Sequence, residues 1–130
     1  LLAASRPLDG AVITNSGSTN APGYEIRIHS DGSAQFGTHG RGVSSVMQRG
    51  TVSPTLAATF FADLKKARAS NVQGEAGCMK SASFGTTTIV NWHGWVSGDL
   101  ECPRGSPALK ADIFKIQEAL HIDASPGQPN

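Results

Sequence analysis

Charge of one sign is what this 130-residue sequence has least of. Eleven Lys and Arg stand against ten Asp and Glu, for a formal net charge of +1. That balance argues against a nucleic-acid binder, which carries a basic stripe and a high pI. Charged residues make up 16% of the chain, below the roughly 25% of an average soluble domain. No apolar run approaches the roughly 18–20 residues that cross a bilayer, which excludes a membrane-spanning segment. Cysteine is limited to Cys78 and Cys102, with no Cys-x-x-Cys, which leaves a zinc finger or a thioredoxin-type redox site unsupported.

Catalytic signatures are missing too. The histidines are His29, His39, His93 and His121, and none forms the His-x-x-x-His or His-Glu-x-x-His spacing that sets two imidazoles on one helix face. There is no Gly-x-Ser-x-Gly elbow, and the carboxylates show no paired pattern for glycoside chemistry. The run Gly37-Thr38-His39-Gly40-Arg41-Gly42 lacks the Gly-Lys-Ser/Thr ending and following helix of a phosphate loop. It reads as a flexible connection. No catalytic residue, metal ligand or cofactor is assigned.

What is present fits one small domain. A chain this long buries roughly two-thirds of its unfolded surface in a single core. Residues 11–122 are expected to form that domain. Residues 1–10 form an arm, with Leu1-Leu2-Ala3-Ala4-Ser5 resembling the end of a signal peptide or simply an N-terminal extension, and 123–130 form a Pro- and Gly-containing tail. An even cysteine pair in a small Gly/Ser/Thr-rich domain points to one Cys78–Cys102 disulfide and an oxidising compartment, the alternative being two buried thiols. Closing a loop of about 25 residues stabilises the fold by roughly 3–3.5 kcal/mol.

The pattern along the chain is hairpin, then helix, used twice. Residues 11–14 make a short strand, and Tyr24, Ile26 and Ile28 alternate with Glu25, Arg27 and His29. A three-residue Ser30-Asp31-Gly32 loop pairs Ile28 with Ala34 and Ile26 with Phe36, which keeps the apolar set on one face. Val43 to Gln48 is a third strand. Ser53-Pro54 opens a helix with Leu56, Phe60, Phe61 and Leu64 on one stripe, ending near Ser70. In the second half Thr86 to Asn91 is strand-like, and Trp92-His93-Gly94 takes the place of Ser30-Asp31-Gly32, pairing Val90 with Val96. Ser106-Pro107 opens a helix with Leu109, Ile113, Ile116 and Leu120 inward. The two helix starts share four identities in six. The expected fold is α+β: an antiparallel sheet built from two hairpin-plus-helix pseudo-repeats, with both helices on one face.

The candidate binding residues are Trp92, His93 and Trp95, which gather both tryptophans at one turn. Aromatics at a hairpin tip bury much area at little entropic cost; the competing reading folds a tryptophan back over the core. The amide- and hydroxyl-rich loop from Asn15 to Asn20 is a second candidate surface.

Three stretches carry a resemblance: Thr14 to Asn20, Cys78 to Thr88, and Ser97-Gly98-Asp99-Leu100-Glu101-Cys102-Pro103. Together they resemble an uncharacterised exported protein family of soil bacteria such as acidobacteria. The resemblance implies an extracytoplasmic location, periplasmic or secreted, and the Cys78–Cys102 bridge; it brings no activity. In layout the chain is similar to the β-lactamase-inhibitor-protein-like fold, though such an inhibitor has a cysteine pair in each repeat and this chain has one pair in all. Lactamase inhibition is therefore not carried over. The functional expectation is a small exported, non-catalytic binding or structural module with a protein or small-molecule partner. The alternative is a metal-dependent or hydrolytic enzyme assembled from distant residues around His29, Asp31 and His93.

Overall fold

A computed structural model of the chain describes residues 9–40, 43–70, 78–80 and 85–122. The expectations for residues 1–8, the loop 71–77 and the tail 123–130 lie outside the described residues. The fold is α+β, in the order β1 (Gly10–Asn15), β2 (Gly23–His29), β3 (Ser33–Gly40), β4 (Val43–Ser44), β5 (Gln48–Thr51), α1 (Pro54–Ala69), β6 (Thr88–Trp92), β7 (Trp95–Val96) and α2 (Pro107–Ala119). The strands make one antiparallel sheet in the order β4-β3-β2-β1-β6-β7, with β5 sharing the outer side of β3 with β4. Strand β1 joins the two halves, since Ile13 faces Ile26 of β2 on one side and Val90 of β6 on the other.

The period of two along each strand sorts its side chains between the faces. Ala11, Ile13, Ile26, Ile28, Ala34 and Val90 all point inward and form one core with Phe60, Phe61 and Leu64 of α1 and Leu109, Ile113 and Ile116 of α2. Both helices thus lie on the same face. The opposite face carries Glu25, Arg27, Gln35 and Asn91, half-buried or exposed.

Each helix begins as the sequence predicts. The Ser53 hydroxyl accepts from Leu56 N–H and the Ser106 hydroxyl from Leu109 N–H, each with proline at the next position. Leu120, just past α2, sits over Gly50 of β5, where an added Cβ would lie 2.8 Å from Leu120 Cδ2. The second helix therefore reaches across the sheet toward its β5 edge.

The first hairpin keeps its expected register, Ile28 opposite Ala34 and Ile26 opposite Phe36, with Gly32 left-handed. Other loops depart from expectation. The second hairpin pairs Trp92 with Trp95 and Asn91 with Val96, so its turn has two residues, not three. His93 at φ 49° and Gly94 at φ 77° supply the two left-handed positions of a type I′-like turn, whose twist suits a two-residue hairpin. The two hairpins thus differ in loop length. The run Gly37 to Gly40 is strand, not connection: β3 continues against β2 to His39 opposite Gly23. The expected third strand is split into β4 and β5. Ser44 faces His39 while Gln48 faces Phe36, one residue more on the outer strand. That bulge is held by Ser45, whose hydroxyl accepts from Thr38 N–H.

Beyond β7, no further strand covers β6 among the described residues; side chains take its amides. Val90 N–H donates to the Ser97 hydroxyl and Thr88 N–H to Asp99 Oδ1, while Leu100 N–H returns to Thr88 O. Cys78 and Cys102 are joined in a disulfide, the form such a pair takes in an oxidising, extracytoplasmic setting. No helix among the described residues is long and apolar enough to cross a membrane.

Candidate functional site

The tight turn after β6 decides where the candidate aromatics go. Trp92 falls on the core face and is buried; its indole N–H donates to Asp9 Oδ1 at 3.0 Å, and the Arg68 guanidinium of α1 lies 5.5 Å from its ring centroid. His93 stays exposed at the tip, its Nε2 2.6 Å from the same Asp9 oxygen. Burial raises the Asp9 pKa, but the Trp92 and His93 contacts outweigh it and hold the carboxyl below its ordinary value. Trp95 is half-buried and packs against the core from the side. The hairpin therefore offers one ring to its surroundings and spends the other on the fold.

Trp95 forms one wall of a cleft of about 300 Å³. Asp63, Lys66 and Ala67 of α1 form a second wall, and the segment from Arg104 into the first turn of α2 forms a third, with Leu100 and Leu109 as apolar lining. Just beyond, the two helices press two carboxyls together. Asp112 is one turn past Ala108 on α2, lies buried, and shares a hydrogen bond with Asp63. Its Oδ2 has no partner among the described residues. Burial, then the hydrogen bond and negative charge of Asp63, push the Asp112 pKa up to about 7, against the opposing pull of Lys115. Below about pH 7 Asp112 therefore keeps its proton beside Asp63.

A raised folded pKa fixes the sign of the pH dependence. The unfolded carboxyl titrates at about 3.9, so the folded chain holds the proton more tightly. The stability this gives is complete at acid pH and is lost as pH rises through about 7. Asp112→Asn keeps a polar partner for Asp63 and removes the second charge. We expect it to stabilise the protein by about 1–3 kcal/mol at alkaline pH and to flatten its pH dependence. Thermal melts of both proteins across pH read this directly, and parallel curves would contradict it.

A second polar cluster lies at the other end of β6. Asp99 is fully buried; its carboxylate accepts from Thr88 N–H and Glu101 N–H and is paired with Lys80. Burial alone raises its pKa, and Lys80 and the two amides outweigh this to hold it below the ordinary value. Nearby, Asn15 Nδ2 donates to the Thr86 and Thr88 hydroxyls, and Tyr24, bonded to Thr88, is pushed up to about 12 by burial with Glu101 adding to the effect. These groups satisfy one another or the backbone. The Asn15 side chain is thus buried in the sheet's end rather than displayed on a loop surface.

His29, Asp31 and His93 belong to no close group of three metal-ligand side chains among the described residues. His29 lies on the open face of the sheet against Gly10, and the Asp31 carboxylate accepts from the Ser33 N–H and hydroxyl in its own loop. Among the described residues, the only close group of three such ligand side chains is Cys78, Asp99 and Cys102, whose sulfurs are bonded to each other. A wider groove of about 630 Å³ lies by β5, lined by Phe36, Arg49, Leu120 and His121 among others and by no described carboxylate.

Sequence reasoning missed Asp63, Lys66, Arg104 and Asp112. One signal was there: Asp112 interrupts the inward stripe of Leu109, Ile113 and Ile116 with an acid. No protein-family model, no curated protein and no solved structure matches this chain.

Proposed function

We propose that this chain is a small exported, non-catalytic binding module, periplasmic or secreted, whose ligand seat is the cleft between the β6–β7 hairpin, α1 and the first turn of α2. The observation that carries this reading is the convergence on one concave site of an accessible indole, apolar lining and side chains of both charges. Ligand sites are built in this way, with an apolar body and a few placed polar groups. Trp95 is the contact residue. Trp92 and His93 support it by fastening the hairpin to Asp9 and α1. The disulfide supports export.

A fragment screen read by ligand-observed NMR tests the seat. Compounds that bind the wild type should lose at least about tenfold in affinity on Trp95→Ala, the scale of an interface anchor. The variant's circular dichroism should stay native, because the ring is only half-buried. Unchanged binding by a folded Trp95→Ala protein would remove the cleft from this reading.

A further inference from the structure

The charges of the cleft say more about its ligand, given the reading above that it is the ligand seat. Asp63 is the one carboxylate among its described lining residues, and Lys66 and Arg104 are the cations. Behind Asp63 lies the buried Asp112, hydrogen-bonded to it, so the acidic wall of the cleft is backed by a second carboxyl. Leu100, Leu109 and the Trp95 ring supply apolar surface. A volume of about 300 Å³ stands at the small end of ligand pockets, too small to enclose a peptide.

A small molecule complementary to this site carries a cation and an anion close together on an apolar body. We infer that the cleft seats a free α-amino acid with a large apolar side chain, its ammonium on Asp63, its carboxylate between Lys66 and Arg104, and its side chain against Trp95. An ammonium on Asp63 offsets the negative charge that helps to hold the Asp112 proton, so Asp112 releases its proton to solvent as the ligand binds. The other charged group acting on Asp112 is Lys115 from α2, and Lys66 from α1 and Arg104 from the preceding loop share the cleft with Asp63.

Calorimetric titration of the full chain at about pH 6, in two buffers of different ionisation enthalpy, measures both affinity and proton release. The probes are L-phenylalanine and its two singly charged analogues, phenethylamine and 3-phenylpropanoate. Phenylalanine should bind at least about tenfold more tightly than either analogue, in the millimolar range or better for a ligand of this size, and should release protons. Asp63→Asn removes a charge conflict and should fold; it should bring phenylalanine down to the affinity of 3-phenylpropanoate and abolish the release. Arg104→Gln should bring it toward phenethylamine. Equal affinity for phenylalanine and one of the analogues would strike out the missing group's contact and overturn the assignment. Absence of phenylalanine binding at about 10 mM would overturn it as well. In that case, screened fragments that still depend on Trp95 would leave the cleft standing as a ligand seat, and fragments that ignore Trp95 would remove both.

Discussion

Trp92→Ala should cost about 3–5 kcal/mol of folding stability, the range for truncating a buried aromatic. The ring is buried in the shared core of sheet and helices, its indole N–H is bonded to Asp9, and Arg68 lies over its face. All three contributions vanish together, and the Asp9 carboxylate keeps His93 and the Gly10 amide. Against a total stability of about 5–15 kcal/mol, the loss should lower the melting temperature by roughly 10–20 °C. Trp92→Phe separates packing from hydrogen bonding: it fills most of the space without a donor, and should cost about 1–2 kcal/mol. Denaturant unfolding of the three proteins checks this order, and an alanine variant as stable as the wild type would show that the ring is not part of the core.

Asp99→Ala should be comparably severe, about 3–5 kcal/mol, for an electrostatic reason. The substitution leaves the Lys80 ammonium without its counter-ion and strips Thr88 N–H and Glu101 N–H of their acceptor. A buried donor left unsatisfied costs about 1–3 kcal/mol by itself. Asp99→Asn retains an acceptor oxygen and should fall between wild type and alanine. The pH sense is opposite to that of Asp112. The Asp99 carboxyl is held low in the fold, so its stabilisation is present above the ordinary carboxylate range and is lost as pH falls through the folded value. Acid melts should show the wild type losing this advantage over Asp99→Ala below about pH 4; a constant gap down to strong acid would argue against the ion pair.

Local chemistry was legible in the sequence, and long-range pairing was not. The two Ser-Pro helix starts, the inward stripes of both helices and the register of the first hairpin each follow from a few neighbouring residues, and each stands in the structure. The cysteine pair was readable because only one intramolecular partner existed. The two-residue turn of the second hairpin is hidden in the sequence, since a histidine at φ 49° is not an evident turn former and a three-residue loop would set Val90 opposite Val96. The split of the third strand depends on Ser45 reaching Thr38 across the ladder, which no period reveals. The cleft was invisible for a simpler reason. Asp63 and Asp112 belong to different helices, and only the packing of α1 against α2 brings them within a hydrogen bond. Lys80 and Asp99 likewise meet across a loop that the disulfide closes.

The capture of the β6 amides by Ser97 and Asp99 has a consequence for how copies of this molecule behave toward each other. A strand at the margin of a sheet normally displays a row of free donors and acceptors, a template on which a second chain can aggregate. Here the donors of Thr88 and Val90 are already occupied by side chains of the same molecule, and the segment that delivers them is tethered through Cys102. The opposite margin uses a different protection: two short strands interrupted by a bulge, with the long cation of Arg49 on the outer one. Both ends of the sheet are thereby made poor seeds for β-sheet polymerisation.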